Sequence, residues 1–99
     1  MNKQAQKEQA IKYLMEQRTN AGYTIIASIK LPIDEFVVGE MPLSNGEKQY
    51  VTWYCVNGSD YYYGHYMNDK NIAMMDLYER AELEIKYHKR QLLHKIKGE

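Results

Sequence analysis

Three histidines (His65, His88, His94), one cysteine (Cys55) and thirteen acids are the first side chains to ask about catalysis or metal binding. His88 and His94 lie six residues apart, a spacing that does not return to one face of a helix. No HExxH stretch or second cysteine supplies further ligands. Cys55 falls in an apolar alternation, where a thiol serves as a small inert hydrophobe. Asp60 and His65 stand five positions apart on one short strand, an odd offset that puts them on opposite faces. Glu79, Glu82 and Glu84 belong to a helix surface, where acids are solvated. There is no glycine-rich phosphate loop and no nucleophile elbow. A protein without enzymatic activity, metal or cofactor is expected.

Recognition chemistry is better represented. The stretch YVTWYCVNGSDYYYGHY, residues 50–66, holds six of the ten tyrosines and the only tryptophan. Tyrosine offers a large contact area at low conformational cost and one polar tip, which favours it in interfaces. The same rings could stack bases, but residues 49–69 contain no Lys or Arg to hold phosphates.

The elements that position these rings follow from hydrophobic periodicity. Residues 3–19 read as a helix, with Ile11, Leu14, Met15 and Arg18 at helical spacing and Asn20 and Gly22 as its stop. YTIIASIKL alternates as a half-buried strand, Pro32 breaks it, and EFVVGE begins a second. Two further strands flank the NGSD turn. With a two- or four-residue loop, Val51, Trp53 and Cys55 share a side with Tyr62, Gly64 and Tyr66. Tyr50, Thr52, Tyr54 and Val56 then share the other with Tyr61, Tyr63 and His65. A three-residue loop would swap the last strand. The Trp53 side is the expected core, with Gly64 making room for the indole, and a tight first hairpin sets Ile29 against Phe36 and Ala27 against Val38. Asn68 or Asp69 caps a final helix over 70–96, whose stripe of Met74, Leu77, Ala81, Ile85, His88, Leu92 and Ile96 is expected to cover that core face. The expected fold is one α+β domain over residues 1–99, a four-stranded antiparallel meander with N- and C-terminal helices on one face (α-β-β-β-β-α). Its open face would be a platform of Tyr50, Tyr54, Tyr61, Tyr63 and His65.

The composition fits such a domain. Apolar residues make up 44% and charged residues 26%, a globular rather than a disordered profile. No apolar run approaches the roughly 20 residues that span a bilayer. A single cysteine is incompatible with an internal disulfide framework, so a reducing cytoplasm is the expected location. The net charge of zero conceals a segregation. Residues 1–33 carry five bases and two acids, residues 34–84 three bases and ten acids, and residues 85–99 five bases and one acid.

Segments of the chain resemble a pattern found in small uncharacterised proteins of bacterial conjugative elements and phages. It is carried by GYTIIASIKL, EFVVGE, YVTWYCVNGSDYYYGHYMNDK and DLYERAELEI, over about residues 21–86. The resemblance implies a context rather than an activity. Small proteins of such elements often bind and neutralise host defence machinery, including restriction enzymes and CRISPR nucleases, and several use acidic surfaces against these basic targets.

Together these readings lead to a protein that binds a basic, nucleic-acid-handling host protein. Tyr50, Tyr54, Tyr61, Tyr63 and His65 would anchor the partner, with Asp60 and Glu79 as rim charges that steer it. The alternatives are single-stranded nucleic acid stacked on the same rings and a homodimer closed through the same face.

Overall fold

The computed structural model describes residues 18–98. Five antiparallel strands follow one another in sheet order: β1 (Thr19–Asn20), β2 (Tyr23–Lys30), β3 (Glu35–Pro42), β4 (Lys48–Val56) and β5 (Asp60–Met67). One helix, α1 (Lys70–Ile96), completes the chain. The expected α+β class and the meander order are present. The sheet has one strand more than expected, because Thr19 and Asn20 pair with Thr24 and Tyr23. Ala21 and Gly22, with φ of 51° and 87°, make the two-residue turn between them. The helix expected over 3–19 otherwise lies outside the described residues.

The first hairpin has the expected register, with Ile29 opposite Phe36 and Ala27 opposite Val38. The faces, however, differ from expectation. Phe36 pairs with Tyr54, and Val37 with Trp53, so Phe36 and Val38 lie on the tyrosine side of β4. Helix α1 packs on that side, where Ala73, Leu77 and Ala81 are buried against Phe36, Val38 and Tyr50. Two alanines at i and i+8 around Leu77 let the helix backbone approach the sheet closely. Leu77 is fully buried, and its truncation to Ala would cost about 2–5 kcal/mol.

The Val51/Trp53/Cys55 side is also buried, but α1 is not what packs against it. Tyr23, Ile25, Val37, Val51, Trp53 and Cys55 form a second cluster, flanked by Met41 and Tyr61. Irregular pairing between Ile25 and Ala27 and between Thr52 and Tyr54 curls the sheet around this cluster. Trp53, 4% exposed, meets Tyr23 edge-on at 5.5 Å between ring centroids. Gly64 makes the expected room: a Cβ there would stand 2.9 Å from the indole Nε1.

A forked ion pair ties the sheet together at this end. Arg18 donates from Nη1 and Nη2 to the two carboxylate oxygens of Glu35 at 3.1 and 2.8 Å, and Nη1 also reaches the Gly58 carbonyl. Ser28 donates its hydroxyl to the same carboxylate. Burial pushes the Glu35 carboxyl up, but these hydrogen bonds and the guanidinium charge outweigh it and hold it below the usual glutamate value. Burial and this neighbouring carboxylate push the Cys55 thiol up, away from the reactive thiolate.

Asp69 caps α1, its Oδ1 accepting from the Ile72 amide at 3.0 Å. The helix runs over the expected 70–96, yet its buried residues end at Ala81. Ile85, Leu92 and Ile96 of the expected stripe are exposed. Among the described residues no helix is long and apolar enough to cross a membrane.

Candidate interaction site

The hairpin between β4 and β5 decides where the tyrosines go. Val56 pairs with Asp60, so the connection is the three-residue loop Asn57–Gly58–Ser59, with positive φ at Asn57 and Gly58. Tyr61 therefore pairs with Cys55 and Tyr62 with Tyr54, which reverses the expected sides of both. Two residues later the pairing slips. Tyr63 and Gly64 together face Trp53, and beyond them Thr52 pairs with His65, Val51 with Tyr66 and Tyr50 with Met67. A β-bulge of this kind restores the parity that the odd loop removed. At its centre Tyr63 takes φ of 55°, a left-handed conformation that a bulky side chain rarely adopts.

The bulge aims Tyr63 at the edge of the helix-covered layer. A cleft of about 510 Å³ opens there between β5, the sheet and α1. Its walls are Phe36, Tyr54, Tyr63, His65, Arg80, Leu83 and Glu84. The rings form a ladder from core to solvent. Phe36 and Tyr54 centroids are 5.5 Å apart, Tyr54 and Tyr63 6.4 Å, and Tyr63 and Tyr62 6.3 Å. Phe36 is buried, Tyr54 half-buried and Tyr63 77% exposed.

A polar network fixes the opposite wall. Thr52, fully buried, donates its hydroxyl to Asp76 Oδ2. The same oxygen accepts from His65 Nδ1 at 2.8 Å. Arg80 donates from Nη1 to the Thr52 carbonyl and to Oγ1, both at 3.1 Å, and its guanidinium lies 5.4 Å from the Phe36 ring centre. Burial lowers the Arg80 pKa, and Asp76 opposes that shift. Thr52 is thus the pin through which one helix acid, one helix base and one strand imidazole are oriented. Its hydroxyl is donated to Asp76 rather than to the imidazole, and Thr52 is fully buried.

The expected anchors separate into two groups. Tyr54, Tyr63 and His65 share the cleft. Tyr50 does not reach it; only 7% exposed, it lies under α1 in the helix-side core. Burial and the Glu40 carboxylate raise its hydroxyl pKa. Tyr61 is on the reverse face, 5.4 Å from Trp53, with its hydroxyl toward the Gly58 carbonyl. Tyr62 and Tyr66, expected inside, are exposed. Tyr66 leans over Tyr23 at 6.3 Å on the reverse face. Asp60 and Glu79 are exposed, and neither lines the cleft. The residues that sequence reasoning missed are Phe36, Arg80, Leu83 and Glu84. Sequence spacing placed Glu84 only on a charged helix surface and singled out no role for Arg80, and their common cleft arises from the side of the sheet on which α1 lands.

β5 is also a sheet edge: among the described residues it pairs only with β4. From Asp60 to Glu84 the chain carries six acids against Lys70 and Arg80, and Arg80 is already engaged by Thr52. Compared with protein-family models, with curated proteins and with solved structures, the chain gives no match.

Proposed function

We propose that this is a binding protein without catalytic activity, which docks its β5 edge and the adjoining cleft on a basic partner protein. The observation that carries the reading is the graded ring ladder Phe36–Tyr54–Tyr63–Tyr62. It is rigid at its buried end, and at its free end it is held out by a strained backbone. Exposed aromatic area at low entropic cost is what an interface anchor needs. Strain kept at an exposed ring fits a binding role better than a packing one. Tyr62 and Tyr63 anchor, His65 offers its second ring nitrogen, and the acids of β5 and α1 favour partners rich in Lys and Arg. The resemblance to proteins of conjugative elements and phages directs the choice of partner toward nucleic-acid-handling defence proteins of the host, blocked by occlusion.

The test is capture of partners from nuclease-treated host lysate by the tagged protein and by a Tyr62→Ser/Tyr63→Gly variant. A stoichiometric protein held by the parent chain and released by the variant supports the reading. Equal capture by both chains rejects the ring ladder as the anchor. Material captured from untreated lysate but not from nuclease-treated lysate would assign the rings to base stacking. A mass that doubles with concentration, and does so only with the rings present, would make the edge a homodimer contact.

A further inference from the structure

A second constellation lies behind the cleft wall, where the turn between β2 and β3 meets the overhanging part of α1. Asp34 ends that turn, with its carbonyl accepting from the Leu31 amide at 2.7 Å. Glu84 and His88 stand four residues apart on α1, so they share one face of the helix. His88 Nε2 lies 3.3 Å from Glu84 Oε2 and 3.7 Å from Asp34 Oδ2. One donor atom from each of the three residues falls within 4.8 Å of the others.

Two buried atoms of this group make no hydrogen bond of regular geometry. Asp34 is 6% exposed, and its Oδ1 is fully buried without a hydrogen-bond partner. The buried Nε2 of His88 lies near Glu84 Oε2 but is not aligned with it for a hydrogen bond. Buried polar atoms are ordinarily partnered, and a bound ion is one of the standard reasons for an exception. Two carboxylates converging on an imidazole nitrogen also repel one another unless a positive charge lies between them.

We infer that Asp34, Glu84 and His88 form a binding site for one divalent transition-metal ion of the zinc type. Zinc bonds to imidazole nitrogen and carboxylate oxygen are about 2.0–2.2 Å long, which places tetrahedral ligand atoms roughly 3.3–3.5 Å apart. The Glu84–His88 separation meets that spacing, and the Asp34–His88 separation needs only a few tenths of an ångström of closure. One imidazole with two carboxylates suits zinc, manganese or cobalt better than the all-oxygen shells that calcium and magnesium take. Three protein ligands leave a fourth position for water or for a group brought by a partner. The ion would clamp the β2–β3 turn to α1 just beyond Ala81, where the buried residues of the helix end. It would also fix Glu84, which lines the tyrosine cleft. The site stands on its own residues and does not depend on the binding role given to the tyrosines.

The experiment uses the full chain alone, freed of metal by a chelator. Zn²⁺ is titrated calorimetrically, and Co²⁺ is followed by the visible absorption that low-coordinate cobalt acquires on imidazole and carboxylate ligands. One ion per chain, a cobalt band, and a rise in Tm with Zn²⁺ are expected. His88→Gln and Glu84→Gln should each weaken binding by roughly an order of magnitude or more, whereas His94→Gln should leave it unchanged. The two variants lie on a half-exposed helix face, so their folding can be checked by circular dichroism even if Asp34→Asn, at the buried position, fails to fold. Absence of both heat and cobalt band at neutral pH would overturn the assignment. Binding that survives His88→Gln would overturn it equally.

Discussion

Tyr63 offers a prediction whose sign is unusual. Its φ of 55° costs an L-residue about 1–2 kcal/mol relative to ordinary backbone. Glycine removes that cost but loses roughly 0.5–1 kcal/mol through its greater freedom in the unfolded chain. The ring itself is 77% exposed, and its centroid lies more than 6 Å from those of Tyr54 and Tyr62, so its loss sits near the low end of about 0.5–1.5 kcal/mol for an aromatic pair. Tyr63→Gly should therefore stay within about 1 kcal/mol of the parent chain. Tyr63→Ala loses the ring and keeps the strain, and should be less stable than Tyr63→Gly by about 0.5–1 kcal/mol. In a regular strand the order is the reverse. Urea denaturation, read as a shift in midpoint at constant slope, resolves the difference. An alanine variant as stable as the glycine variant would refute the bulge geometry and the claim that a strained backbone holds the ring out at the cleft edge.

Further outcomes follow from the packing around the site. Thr52→Val preserves shape but removes the hydroxyl shared by Asp76 and Arg80, and should cost about 2–3 kcal/mol in urea melts. A loss below about 0.5 kcal/mol would mean that Thr52 does not pin the network. Gly39→Ala places a Cβ 2.9 Å from the Tyr23 Cβ and 3.1 Å from Trp53 and Val51, so destabilisation of about 1–3 kcal/mol and a changed tryptophan emission are expected. Glu35 should govern part of the acid limb of stability. Its carboxyl is held below the ordinary value in the fold, so its contribution is present above the ordinary glutamate pKa and is lost as pH falls through the folded one. Glu35→Gln should lower Tm near neutrality and flatten its decline as pH falls below the ordinary glutamate range, and an unchanged slope would contradict the Arg18 pairing.

Much of the scaffold was legible because local rules decide it. The Ile29–Phe36 register followed from a tight hairpin, and the bounds of α1 from Asp69 and the apolar period. The side on which α1 lies did not follow, and β3 shows why. Phe36, Val37 and Val38 are consecutive and all buried, so a period of two names no core face. Tyrosine suits wet surfaces, so residue type alone assigns Tyr50 to an open platform, yet α1 covers it. Tyr61 and Tyr62 depended on the length of one loop, and the compensating slip at Tyr63–Gly64 depends on a positive φ that no residue type there advertises. Asp34, Glu84 and His88 come from different elements, and only the docking of α1 makes them neighbours.

The central claim is that partners are held at β5 and the cleft beside it. The most direct measurement places photo-reactive benzoylphenylalanine in place of Tyr62 in one chain and of Arg90, far along the exposed part of α1, in another. Both chains are illuminated in nuclease-treated host lysate and compared for cross-linked protein. A specific adduct from position 62, suppressed by Tyr63→Gly in the same chain and absent from position 90, is the predicted result. An adduct from position 90 with none from position 62 would contradict the account.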